Sequence, residues 1–220
     1  MSEGEKQAEQ IADSWSILYA ARGKLLKRYR TVWDIPIKNK HTQVLVEELQ
    51  AGMKVLEIGS SDRGLEGFLT SRFDGLLYRS MDIDRRTRHD YYSLDEIDET
   101  FDAVLLFEVI EHMPFREGLP LLGRIFDLLA PGGKLIMTTP NVAHPTHYYR
   151  DPTHVTPYSH EGVGGMLVAL GFEVDAMYRI YNAPFVQKLL RKYVASLLHR
   201  YLGIDFTHSL LVVASRRKGS

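Results

Sequence analysis

Apolar residues recur at helical spacing from residue 5 to about 30, up to the basic cluster KLLKRYR, and this run reads as helical. WDIPIK then reads as an irregular connector, because Pro36 disfavours helix in the residue before it. HTQVLVEELQAG resumes the helical rhythm, and Gly52 predicts its stop. Beyond it the rhythm changes. MKVLEIGS, LLYRSMDI and FDAVLLF are strand-like apolar runs, the last of the continuous kind buried on both faces of a sheet, while LEGFLTSRF has helical spacing. EGLPLLGRIFDLLA predicts a helix stopped at Pro131-Gly132-Gly133, KLIMTTP a strand, HEGVGGMLVALG a helix, and FEVDAMYRIY and HSLLVVASRR two further strands. Between those two lies APFVQKLLRKYVASLLHRYLG, an amphipathic helix with Val186, Leu189, Leu190, Val194, Leu197 and Leu198 on one side.

Strands alternating with helices predict an α/β fold, a mostly parallel doubly wound sheet with helices on both faces. One interval is abbreviated. DRRTRHDYYSLDEIDETFD leaves little room for a crossover helix plus another strand, so the sheet should be shortened after its second strand. No internal repeat or low-complexity tract divides the chain, and residues 1–220 read as a single domain.

Composition agrees: 220 residues, 45% hydrophobic and 25% charged, suit one core. The formal net charge of −1 supplies no general attraction to nucleic acid or an anionic membrane. No apolar run approaches the roughly 20 residues of a membrane-spanning helix. The charged start MSEGEKQAEQ lacks the apolar core of a signal peptide, so a cytoplasmic protein is expected. With no cysteine in the chain, any metal must be held by oxygen and imidazole ligands.

Candidate chemistry begins at VLEIGSSDRG, where a buried strand runs into a turn containing Gly59 and Gly64, with an acid, Glu57, near the strand's carboxyl end. A second acid, Asp82, ends the next strand, about where ribose hydroxyls are received in doubly wound folds. Together they favour a nucleoside-containing cofactor over a plain strand-to-helix turn. The spacing is wrong for G-x-G-x-x-G, and Glu57 and Asp62 would repel phosphate, so the pocket suits a zwitterion or cation. A nicotinamide-dependent dehydrogenase is disfavoured for the same reasons.

These segments resemble the class I S-adenosylmethionine-dependent methyltransferases, from about Gly52 to the terminal strand: VLEIGSSDRG the first motif, Asp82 in YRSMDID the ribose acid, FDAVLLFEVIEHMP and LLAPGGKLIMTTPN the fourth and fifth strands with their flanks. The family often has glycine, cysteine and glycine after the first motif's acid; here Ser60 and Ser61 replace them, which makes the backbone less permissive without removing the turn. The resemblance implies a Rossmann-like seven-stranded sheet with an antiparallel last strand. It implies S-adenosylmethionine as cofactor, with Glu57, Gly59, Ser61 and Gly64 around its methionine portion, Asp82 and Ile83 at the ribose, and Ser93 or Leu94 near the adenine. It divides the domain into amino-terminal helices or cap (1–50), a cofactor-binding half (51–140) and a substrate-side half (141–220).

FEVIEHMP follows the fourth strand. If it begins a helix, Glu108, Glu111 and His112 fall at i, i+3 and i+4 on one face, at the edge where ligands bind in such folds. Carboxylates and histidine there either satisfy a helix start or converge on a divalent cation such as Mg²⁺ or Mn²⁺. A histidine-rich stretch, HPTHYYRDPTHVTPYSHEG, returns to the same edge and offers a further ligand. Here the sequence looks like the ubiquinone-pathway O-methyltransferases and the small-RNA 2′-O-methyltransferases, which pair E-x-x-E-H with a downstream histidine. That likeness implies Glu108, Glu111, His112 and His154 as ligands, with His144 and His147 less favoured. His112 or His154 could instead be a catalytic base without metal.

A hydroxyl is the methyl acceptor that most needs a cation or base, so the cluster leans toward O-methylation of a small molecule such as a sugar, a phenol or a lipid-linked precursor. N-methylation of a small molecule and a catalytically inactive cofactor-binding protein of the same fold stand as alternatives. An RNA substrate is not expected, since no separate RNA-binding module or basic excess is present. Tyr148, Tyr149 and Tyr158 could stack on a ring. Lys188, Arg191, Lys192 and Arg200 could meet phosphate or a membrane surface through residues 184–203, although a solvated helix face is favoured.

Overall fold

The computed structural model describes residues 1–182 and 196–217. Seven strands form one sheet: β1 (Ile37–Lys38), β2 (Lys54–Ile58), β3 (Leu77–Met81), β4 (Phe101–Phe107), β5 (Leu129–Pro140), β6 (Glu173–Ile180) and β7 (Ser209–Ser215). Their order is β1-β6-β7-β5-β4-β2-β3. All pairings are parallel except those of β7, which lies antiparallel between β5 and β6. The expected doubly wound sheet with an antiparallel last strand is therefore present.

Its seven strands are assembled in an unexpected way. The shortened interval after β3 contributes only a single bridge, Met81 to Tyr91, where a further strand would lie. The seventh strand comes from the WDIPIK connector: Ile37 and Lys38 pair with Arg179 and Ile180. An edge pair of two residues needs no periodic apolar pattern, which is why the connector looked irregular.

Helices cover both faces. α1 (Glu3–Ala12) and α2 (Trp15–Leu26) split the expected first helical run at Asp13-Ser14. α3 (His41–Glu48) and α4 (Glu66–Arg72) pack one face of the sheet with Val44, Leu45, Leu69 and Phe73. α5 (Phe115–Leu128) and α6 (His160–Ala169) pack the other, with Leu119, Leu122, Ile125, Val163 and Leu167. α5 ends three residues before Pro131, because Leu129 already pairs with Phe101 in a bulged start to β5. The amino-terminal helices form an outer layer over α5 and α6. A Cβ on Gly123 would lie 2.3 Å from the Gly4 carbonyl oxygen, so backbones meet there directly. Gly164 and Gly165 similarly receive Leu25 and Arg22 of α2.

Of the predicted carboxyl-terminal amphipathic helix, α7 (Ser196–Leu202) is described, with Leu197 and Leu198 exposed. Val186, Lys188, Leu189, Leu190, Arg191, Lys192 and Val194 lie outside the described residues. No helix among the described residues is long and apolar enough to cross a membrane.

Candidate active site

The sheet order reverses at β2: the chain goes first to β3 on one side, then to β4 on the other. The crevice above such a reversal is where doubly wound sheets bind ligands, and the loops after β2, β3, β4 and β5 converge on it.

After β2 the chain makes a tight turn. Gly59 has φ +75°, and Ser61 and Arg63 also adopt left-handed conformations, at +45° and +60°. Each non-glycine residue held this way costs on the order of 1 kcal/mol, so surrounding bonds must hold the turn. Gly59 N and Ser60 N both donate to the Met81 carbonyl, at 2.9 and 3.3 Å. Ser61 N donates to Asp82 Oδ2 at 2.8 Å, and Asp84 N to Oδ1 at 2.9 Å. Glu57, Gly59, Ser61, Gly64 and Asp82 are thus gathered around one turn. Glu57 is buried at the end of β2 and accepts a hydrogen bond from the Tyr78 hydroxyl. Burial dominates and pushes its pKa up to about 7, against the lowering effect of that bond. Ile83 lies exposed next to Asp82. Ser93 caps a short 3-10 turn by accepting from Asp95 N, and Leu94 packs against the core.

After β4 the chain departs from the expected helix start. Glu108 has φ +51°, Ile110–His112 form a 3-10 turn, and α5 begins only after Pro114. The cause is in the sequence: Pro114 restricts Met113 to extended backbone, observed at φ −124° and ψ 152°. The 3-10 turn nevertheless brings Glu111 and His112 together with His154, one ligand atom of each lying within 4.8 Å of the others. The two imidazole centroids are 4.8 Å apart. Glu108 is not in this triplet. It sits behind it, with the Thr138 and Ser209 hydroxyls lowering its pKa and burial raising it more.

Glu111 is fully buried, and neither carboxyl oxygen has a well-formed hydrogen bond. Burial, with the neighbouring Glu108 charge, pushes its pKa up to about 8. His154 Nδ1 is 2.7 Å from the Tyr148 carbonyl, which can only accept, so the proton is on Nδ1 and Nε2 carries the lone pair. Thr153 Oγ1 donates to Asp151 Oδ1 at 2.6 Å, which leaves it accepting from His112 Nδ1 at 2.9 Å. His112 therefore also keeps its lone pair on Nε2. Bonds of this type to the remote imidazole nitrogen are the usual way a protein orients metal-binding histidines. The loop itself is fastened to the turn: Val155 N and Thr156 N both donate to the Glu111 carbonyl, at 2.7 and 3.1 Å, and Thr156 Oγ1 to that of Met113.

Asp151 and Thr153 were not foreseen as site residues, although an Asp two places before a Thr is a common self-bonding turn pattern. His144 and His147 lie apart from the triplet, near His208. Tyr148 and Tyr158, considered for stacking on substrate, are buried in the protein, and only Tyr149 is exposed. A cavity of about 400 Å³ is lined by Thr156, Pro157 and Tyr158 of the His154 loop together with Trp15, Tyr19 and Phe115.

The family described as a methyltransferase domain matches residues 28–177. No curated protein matches the chain in sequence. Among solved structures it is similar to an S-adenosylmethionine-dependent methyltransferase from Archaeoglobus fulgidus, at 15% identity and TM-score 0.65, over 79% of this chain and 90% of that one. It is similar to one from Mesorhizobium loti at 13% identity and TM-score 0.58, over 80% and 98%. It is also similar to the phosphoethanolamine N-methyltransferase 2 of Haemonchus contortus, solved with S-adenosyl-L-methionine, at 18% identity and TM-score 0.58, over 80% of this chain and 52% of that one. At these identities the structural likeness is one of fold.

Proposed function

The chain belongs to the methyltransferase-domain family as a class I S-adenosylmethionine-dependent methyltransferase, and from that premise we propose that it methylates a hydroxyl of a small molecule, aided by a divalent cation at Glu111, His112 and His154. The observation that carries this reading is the buried Glu111 carboxyl, which lies beside Glu108 and Thr139 but has no well-formed hydrogen bond at either oxygen among the described residues, next to two imidazoles whose Nδ1 atoms are already engaged. A polar group left so in an interior is costly. A cation would satisfy it and take the two free Nε2 atoms, and this mixed carboxylate and imidazole set suits Mn²⁺, Mg²⁺ or a similar ion. The arrangement supports the likeness to the ubiquinone-pathway O-methyltransferases, with Glu108 contributing from behind rather than as an equal ligand.

S-adenosylmethionine supplies the methyl group on a sulfonium, and a bound cation would supply positive charge beside the acceptor oxygen. The chain's own residues align these partners. Glu57 and the turn from Gly59 through Ser61 to Gly64 hold the methionine end, Asp82 with Ile83 the ribose, and Ser93 and Leu94 border the adenine. In the transfer the carbon–sulfur bond breaks as the carbon–oxygen bond forms in line, the electron pair stays on sulfur in the departing S-adenosylhomocysteine, and the acceptor hydroxyl gives up its proton to solvent water. The cavity beside Trp15, Tyr19 and Phe115 supports an acceptor with an apolar or aromatic body.

A second reading rests on the exposure of His112, whose Nε2 is oriented through Thr153 and Asp151. In it His112 takes the acceptor proton without a cation. Turnover of a hydroxyl acceptor panel in excess chelator separates the two. Loss of turnover, restored by added cation, with Glu111→Ala inactive yet still binding S-adenosylmethionine, supports the first; full activity in chelator excludes it.

A further inference from the structure

The connector from Asp84 to Tyr92 replaces a crossover helix, and it reaches back to the cofactor turn. His89, only 5% exposed, places Nδ1 3.1 Å from Ser60 Oγ, itself buried. Its Nε2 is buried and has no hydrogen-bond partner among the described residues, where the bond to Ser60 is the one side-chain hydrogen bond the ring makes. The Arg63 guanidinium donates to the Arg88 carbonyl at 3.1 Å and lies 3.4 Å from Asp90. Asp90 in turn accepts from Ser80 N and Oγ on β3, at 2.9 and 3.1 Å. The connector thus grips the turn at Ser60 and at Arg63, on either side of left-handed Ser61, whose amide ends on Asp82.

We infer that His89 is a positioning residue for S-adenosylmethionine, acting through Ser60 to hold the strained Gly59–Arg63 turn in its binding shape. A turn with three left-handed residues, two of them not glycine, does not keep that shape unaided. Ser60 is its only member whose side chain is buried in the connector, and a shift there swings the adjoining amides of Gly59 and Ser61. His89 touches neither cofactor nor acceptor; it fixes the backbone of the turn that holds the cofactor. The role is independent of any cation and of the acceptor's identity.

The test is calorimetric titration with S-adenosylhomocysteine on the full chain, with circular dichroism and thermal melting as folding controls. His89→Ala is expected to weaken binding about tenfold, the scale of one buried hydrogen bond lost. His89→Asn, whose amide can donate or accept at the position of Nδ1, is expected to recover most of it. Ser60→Ala removes the same bond, together with the longer 3.4 Å bond from Ser60 Oγ to the Met81 carbonyl, with little change of volume, and it stands in if His89→Ala fails to fold. The Ser60→Ala/His89→Ala pair should bind no more weakly than Ser60→Ala alone, because that variant already removes the bond His89 makes. Binding within about twofold of wild type in Ser60→Ala, additive losses in the pair, or equal losses for Asn and Ala at position 89 would each overturn the inference.

Discussion

A Cβ placed on Gly59 would come within 2.4 Å of Val109 Cγ2, so the turn after β2 and the turn after β4 touch with no space for a side chain between them. The φ of +75° at Gly59 adds a backbone penalty to that clash. Gly59→Ala is expected to cost about 2 kcal/mol of stability and to weaken S-adenosylhomocysteine binding by roughly 10- to 100-fold. Adding Val109→Ala should return part of the affinity, which calorimetry on the single and double variants would check.

Thr153 bonds to His112 on one side and Asp151 on the other. Thr153→Val keeps the shape of the side chain and removes the hydroxyl. Cation affinity should drop roughly 10-fold or more, the usual effect of losing a remote partner of a ligating imidazole. Binding of S-adenosylhomocysteine should be unchanged. Isothermal titration with Mn²⁺ alone reads the first quantity and separate cofactor titration the second.

Glu57 sets a pH dependence. Its pKa is raised to about 7 in the folded chain, mainly by burial, from an ordinary value of 4.5. The folded protein therefore binds more protons than the unfolded chain between those values, and this group's contribution to stability is full below about 4.5 and is lost as pH rises through about 7. Cofactor affinity should move the opposite way, because a cationic ligand favours the ionised carboxylate. Binding of S-adenosylmethionine should tighten from about pH 6 to about pH 8, and Glu57→Gln should flatten that profile while weakening binding at the upper end.

Gly4 and Gly123 bring α1 and α5 into backbone contact. Gly123→Ala drives a methyl into the Gly4 carbonyl and is expected to cost about 1–3 kcal/mol, read as a lower midpoint in urea. The cofactor turn lies elsewhere, so affinity for S-adenosylhomocysteine in the folded population should stay near wild type.

The strands around the crevice were legible because buried parallel strands are written as continuous apolar runs, as in AVLLF and VLEI. The glycine turn and Asp82 were legible from spacing along such a sheet; the grouping of Glu111 and His112 with His154 came from the likeness to methyltransferases that pair E-x-x-E-H with a downstream histidine, which also implied Glu108, absent from the triplet. Two-residue β1 was not, since its pairing with Arg179 and Ile180 depends on a strand about 140 positions away. The 3-10 turn was readable in principle from Pro114, but the i, i+3, i+4 spacing of its acids and histidine favoured a helix. The roles of Thr153 and His89 are not legible locally because their partners, His112 and Ser60, are distant in sequence. Asp151 and Thr153 in DPTH form a locally readable self-bonding turn, but nothing local in RHDYY marks His89.

The two amides that end on the Glu111 carbonyl make the 3-10 turn and the His154 loop one rigid block. That loop cannot swing aside between cycles without leaving a buried carbonyl unpaired. Among the described residues His112 faces solvent, so a ligand would approach the Glu111, His112 and His154 cluster from that side while the His154 loop keeps its place.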